Sequence, residues 1–118
     1  MTDIHYQLAQ PDRTVAEGDS WGVILPAGDV NLTVISERAP SLIRLDAGML
    51  QIVDEKGEIQ KRFFVKEGIA TVANDVCVVA SENIIPFDDI SIEEALQKAK
   101  DDAFYQTIVD CLSSVKNR

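Results

Sequence analysis

The sequence predicts a mainly β chain with an α-helical C-terminus: an antiparallel β-sandwich of about ten short strands in two sheets, followed by one helix or a short helical hairpin. Three observations predict it. Short apolar runs recur through the first three quarters at spacings of about eight to twelve residues, with turn residues between them. No interval between these runs fits a crossover helix, which a parallel sheet would need. Beyond Asp88 the apolar period changes from that of a strand to that of a helix.

Taken in order, Ile4-His5-Tyr6-Gln7-Leu8 alternates like a half-buried strand and stops at Gln10-Pro11-Asp12. The next run is Trp21-Gly22-Val23-Ile24-Leu25, closed by the turn Pro26-Ala27-Gly28-Asp29. Val30-Asn31-Leu32-Thr33-Val34 alternates cleanly, and the loop Glu37-Arg38-Ala39-Pro40 leads to Ser41-Leu42-Ile43-Arg44-Leu45. Gly48 precedes Met49-Leu50-Gln51-Ile52-Val53. Asp54-Glu55-Lys56-Gly57 is a hairpin turn, because Gly57 takes a positive φ without steric cost, and the return strand runs from Ile59 to Val65. Ile69-Ala70-Thr71-Val72 and Val76-Cys77-Val78-Val79-Ala80, joined at Asn74-Asp75, complete the series.

Ser91 is a suitable helix N-cap, and Glu93 and Glu94 suit the positive end of the helix that follows. Ile92, Ala95, Leu96, Ala99, Ala103, Phe104, Ile108, Cys111, Leu112 and Val115 recur at helical spacing, with a drift at Lys100-Asp101-Asp102. The drift permits one helix to about Lys116 or a hairpin bent near the two aspartates, and one helix is the preferred reading. The boundary at Pro86–Asp89 divides a β-sandwich domain, 1–87, from a C-terminal helical segment, 88–118.

Composition narrows the function classes. The 118 residues suit a single domain of ordinary size, and 46% of them are apolar, enough for a core without staples. The net charge of −9 disfavours nucleic acid, whose phosphates are met with Lys and Arg, and disfavours an anionic membrane surface. Partners are expected to be basic or neutral protein surfaces. Cys77 and Cys111 make no disulfide framework, and Cys77 reads as a small buried hydrophobe. The N-terminus has neither a basic start nor an apolar signal core, and no run approaches membrane-spanning length. A soluble intracellular chain is expected, with any membrane association made through a partner and no direct insertion.

No chemistry stands out. The single histidine, His5, has no sequence partner that marks a catalytic constellation, so a structural role on a strand face is preferred. Paired metal-ligand spacings and Gly-rich phosphate loops are absent. Asp88/Asp89, Glu93/Glu94 and Asp101/Asp102 read as helix-start or solvated charges rather than acid–base pairs. Trp21 reads as a core or edge aromatic before an interface anchor. No catalytic, metal or cofactor-binding residue is expected.

An ordered set of motifs carries a resemblance. Ala9-Gln10-Pro11-Asp12 is followed by Gly18, and the turn Pro26-Ala27-Gly28-Asp29-Val30 by Leu32-Thr33-Val34-Ile35. Glu37-Arg38-Ala39-Pro40 precedes Ala47-Gly48-Met49-Leu50-Gln51-Ile52. Glu67-Gly68-Ile69-Ala70-Thr71-Val72 and Val76-Cys77-Val78-Val79-Ala80-Ser81-Glu82 follow. In this order they resemble the epsilon subunit of the rotary F-type proton-translocating ATP synthase, called delta in mitochondria. The departures are Arg38 for the family's loop histidine, Glu37 for the glycine before it, and Glu67 for the first of two later glycines. Where some members bind ATP, this chain reads Ile90-Ser91-Ile92-Glu93-Glu94-Ala95, lacking the usual Asp and Arg, so ATP binding is not expected. The helical part is shorter than the family's hairpin.

The resemblance implies a non-catalytic central-stalk (rotor) subunit that docks on the gamma subunit and the c-ring and couples proton flow to ATP synthesis. By position, the turn with Gly28, Asp29 and Asn31 would face the c-ring loops, and Arg38, Ala39 and Pro40 would lie near gamma. The C-terminal helix would reach the alpha and beta subunits. The subunit would be peripheral, on the cytoplasmic face of the inner (plasma) membrane or on the matrix side in mitochondria. The alternative from another class is a stand-alone β-sandwich interaction module outside the synthase.

Overall fold

The computed structural model describes residues 3–28, 30–100 and 102–116, and in it the alternating runs become ten strands. They are β1 (Ile4–Gln10), β2 (Arg13–Ser20), β3 (Gly22–Ala27), β4 (Val30–Ile35) and β5 (Ser41–Leu45), then β6 (Gly48–Val53), β7 (Ile59–Val65), β8 (Gly68–Ala73), β9 (Val76–Ser81) and β10 (Ile84–Pro86). One sheet has the order β2-β1-β9-β8-β5 and the other β10-β7-β6-β3-β4. Because side chains alternate along each strand, Ile4, Tyr6 and Leu8 of β1 point between the sheets. There they join Leu25, Leu50 and Phe63 in one buried cluster. Each such side chain contributes roughly 1.5–3 kcal/mol through burial.

The turns follow local chemistry. Gly57 adopts φ 83°, and the Asp54 carboxylate accepts the N–H groups of Lys56 and Glu58 at 2.9 Å each, fixing the β6–β7 turn. Asn74 and Asp75 both take positive φ, 52° and 60°, the conformation a two-residue hairpin requires.

Three features depart from the sequence expectation. β2 was not expected as a strand; it carries charged and glycine residues and exists because every residue of β1 pairs with it. β10 is equally short of local signal. The sheets are also not wholly antiparallel, since β1 and β9 run parallel from His5↔Val76 to Ala9↔Ala80. The whole sandwich supplies the crossover between them, so no helix is needed.

The single-helix reading is corrected to a hairpin: α1 spans Ile92–Lys98 and α2 spans Ala103–Lys116. Asp102 explains the break. Its carboxylate accepts the Phe104 N–H at 3.0 Å and its carbonyl the Tyr105 N–H at 3.1 Å, starting a second helix; Asp101 lies outside the described residues. Ser91 caps α1 as expected, accepting the Glu94 N–H at 3.2 Å. Ala95, Phe104, Ile108 and Leu112 bury their stripe with Phe64 and Ile90, covering one outer face of the sandwich.

Candidate protein-docking surfaces

The register of β3 and β4 pairs Ala27 with Val30, so only two residues of chain, beginning with Gly28, separate the paired strands. Gly28 has φ +73°, which its missing Cβ permits. Asp29, named with Gly28 and Asn31 as a residue of this turn expected to make contacts, lies outside the described residues. Gly28 and Asn31 are exposed, and Val30 between them is 65% exposed. Asp46 supports this tip: its N–H donates to the Pro26 carbonyl at 3.0 Å, and its carboxylate oxygen lies 3.7 Å from where a Cβ on Gly28 would stand. Neither Val30 nor Asp46 was singled out from sequence. An exposed β-branched residue beside a turn glycine was the available signal for Val30; Asp46 arrives through chain return and had none.

Arg38, Ala39 and Pro40 are also exposed, in the connection from β4 to β5. Glu37 stands where the resembled pattern has glycine and holds the glycine-like φ of 64°. Its N–H donates to the Asp75 carboxylate at 2.6 Å, which ties this loop to the β8–β9 turn. That bond offsets the strain of about 1–2 kcal/mol that a left-handed backbone costs a non-glycine residue. Ser41 donates to the Ala39 carbonyl at 2.9 Å and holds the far side of the loop.

The two sets of residues are not brought together. They sit at opposite ends of β4, whose six residues at about 3.3 Å each separate them by roughly 20 Å. The sandwich therefore offers two separate tips rather than one site.

His5 lies on an uncovered outer face, where β1 meets β2. Nδ1–H donates to Asp19 Oδ1 at 2.8 Å and Nε2–H donates to Glu17 Oε2 at 2.9 Å. Carboxylates accept only, so this geometry needs both ring nitrogens protonated. The hydrogen bonds to Glu17 and then Asp19 raise the pKa above 6.5. A raised value means this tie between β1 and β2 is fully present below pH 6.5 and is lost as pH rises through the folded-state pKa. The expected result is an NMR titration midpoint for His5 above 6.5 that falls toward 6.5 in Glu17→Gln. A wild-type midpoint at or below 6.5 would sink the clamp.

Burial pushes the Cys77 thiol up to about 11, and burial with Asp110 nearby raises that of Cys111. Trp21 is partly exposed in the link from β2 to β3, near Asp3, Asp54 and Glu55. Among the described residues no three His, Cys, Asp or Glu side chains are placed to hold a metal ion, and no helix is long and apolar enough to cross a membrane.

Two five-stranded sheets, a helical hairpin seated on one outer face and exposed tips at both ends define a class: a small β-sandwich protein that offers loops to its surroundings. Residues 3–87 match the family model described as ATP synthase, Delta/Epsilon chain, beta-sandwich domain, and the chain belongs to that family. The resemblance read from the ordered motifs is thereby borne out. An ATP synthase epsilon chain of Jannaschia sp. (strain CCS1) is 28% identical over 104 residues, covering 86% of this chain and 77% of that one. One from Rhodopirellula baltica is 36% identical over 88 residues, covering 75% and 67%. Among solved structures, a chain of the Euglena gracilis mitochondrial ATP synthase OSCP/F1/c-ring assembly superposes with TM-score 0.73 at 17% identity, covering 98% of this chain and 82% of that one. A chain of the Tetrahymena thermophila mitochondrial ATP synthase central stalk/c-ring superposes with TM-score 0.62 at 14% identity, covering 95% of each. At these identities the two structures speak to the fold.

Proposed function

We propose that the chain is a non-catalytic central-stalk subunit of a proton-translocating ATP synthase, docking on the gamma subunit and the c-ring to couple proton flow to ATP synthesis. The family match over residues 3–87 carries this reading. The separation of the two tips supports it, because a coupling subunit must hold two partners at once. In this reading the tip with Gly28, Asp29 and Asn31 meets c-ring loops, and Arg38, Ala39 and Pro40 meet gamma. The sandwich, 1–87, carries both contacts. The helical segment, 88–118, offers its exposed Leu96 toward alpha and beta subunits. The subunit is peripheral, held through its partners at the cytoplasmic face of the inner membrane or, in a mitochondrion, at the matrix side.

The test is a pull-down of the tagged chain from gently solubilised native membranes. Recovery of gamma, beta and c subunits in similar amounts is expected, and Arg38→Glu should reduce gamma recovery while leaving the unfolding midpoint unchanged. An intact synthase recovered without this chain would overturn the assignment and leave a stand-alone interaction module.

A further inference from the structure

β10 pairs with β7 only from Phe63 to Val65, through Ile84↔Val65, Ile85↔Phe64 and Pro86↔Phe63. Pairing ends there for a physical reason: Pro86 has no N–H to donate, and the chain turns away into a single 3-10 turn, Phe87–Asp89. The first half of β7, Ile59–Arg62, keeps its partner β6 on one side and has none among the described strands on the other. A strand edge with unpaired N–H and C=O groups is a template for another strand.

This edge is not buried under loops. It borders a groove of about 570 Å³, with Val15 and Ala16 of β2 on the opposite wall and Pro86, Phe87 and Asp88 at its end. Both walls are edge elements of their sheets, so the groove is the open seam of the sandwich. The strand order places it at the sheet edge opposite β4, while on the helix side Ile59 and Arg62 also border a second pocket shared with Gly28 and Asn31 of the first tip.

Charge selects the occupant. The chain carries −9 overall, yet this edge presents Lys61 and Arg62 side by side, with Asp88 the one carboxylate among the residues lining this groove and Asp110 of α2 bordering Arg62 on the helix side. Phe63 and Val65 face the core and Phe64 faces the helices, so alternation puts Lys61 on the core side of the ribbon and Arg62 on the helix side. Among the described residues neither cation has an ion-pair partner. Arg62 is oriented by Phe87, whose ring centroid lies 5.4 Å from the guanidinium carbon, and its Nε is buried without a hydrogen-bond partner. An unmet donor of that kind costs about 1–3 kcal/mol, so the guanidinium is held in place without its full set of hydrogen bonds.

We infer that the free edge of β7, Ile59–Arg62, takes an extended acidic segment of a partner polypeptide as an added strand, with Lys61 and Arg62 gripping its acidic side chains. Backbone pairing supplies the register-independent part of the affinity, and the two cations, one on each face, select carboxylates at adjacent positions, which an extended segment presents on opposite faces. This surface goes beyond the two tips of the proposed function and does not depend on them.

The test uses the full chain, isotope-labelled, titrated with a short capped peptide that repeats two glutamates and two threonines, so that an extended strand presents glutamate on both faces, and with its lysine counterpart. The expected result is saturable NMR shift changes confined to Val15–Ala16, Ile59–Phe63 and Pro86–Asp88, with slowed amide exchange at Ile59–Arg62. Binding should be about tenfold weaker in Lys61→Gln and in Arg62→Gln, and weaker still for the lysine peptide. Lys61 is exposed, so its variant reads the charge without disturbing the fold. No change up to about 1 mM glutamate peptide, the weak end of specific recognition, overturns the inference. So do changes located elsewhere, or equal binding of the lysine peptide.

Discussion

Phe64→Ala is expected to cost about 3–5 kcal/mol and to release the helical hairpin before the sandwich unfolds. Phe64 is 1% exposed, yet it belongs to β7, whose neighbours Phe63 and Val65 fill the core between the sheets. It points the other way, into the cluster of Ile90, Ala95, Phe104 and Ile108. Phe87 packs beside it with ring centroids 5.7 Å apart. Truncation would therefore open a cavity between sheet and hairpin while leaving the inter-sheet core intact. Against a total stability of about 5–15 kcal/mol, that is a large fraction. A urea titration followed by far-UV circular dichroism should show helix signal lost first and the midpoint lowered by about 2 M, given a slope of about 1–3 kcal/mol/M. Leu96→Ala is the control: Leu96 is 51% exposed and should shift the midpoint little. Equal effects of the two changes would mean that the hairpin is not seated on Phe64.

What the sequence made legible was whatever local chemistry decides. Gly57 and Asn74-Asp75 announce turns because their backbones need positive φ, and the structure has it. Ser91 announces a helix start, and its hydroxyl caps α1. β2 was illegible because Glu17, Gly18 and Asp19 have poor strand propensity. Its conformation is imposed by β1, with Gly18 close under Tyr6, where an added Cβ would come within 2.9 Å of the phenol oxygen. The helix break was half legible: the drift at Lys100–Asp102 was visible, but the carboxylate of Asp102 decides between kink and cap. The two candidate docking tips could be named from resemblance. That they face opposite ways follows only from β4 lying between them. The free edge on β7 is further from reach, since it depends on where β10, distant in sequence, stops pairing.

Gly68→Ala should be the most damaging change of a single methyl group, costing about 3 kcal/mol, the upper end of overpacking. The backbone angle is not the reason. A Cβ on Gly68 would stand 2.2 Å from the Ala80 carbonyl oxygen and 3.1 Å from its carbon, and these backbone atoms are fixed by the β8–β9 ladder. A flexible side chain could swing aside; a paired strand must separate. The place is also poorly able to yield, because the Ser81 hydroxyl, beside Ala80, lies 2.8 Å from the Lys66 carbonyl that it donates to. That bond ties the entry of β8 to the exit of β9, so displacing one strand strains it as well. Gly57→Ala separates the two kinds of glycine requirement. Gly57 has φ +83° and nothing within 4 Å of an added Cβ, so its substitution meets only the left-handed penalty of about 1–2 kcal/mol. Urea midpoints of the two variants measured side by side should therefore differ, with Gly68→Ala the lower. If Gly57→Ala proves the more costly, the close approach of β8 to β9 is not what requires glycine at position 68.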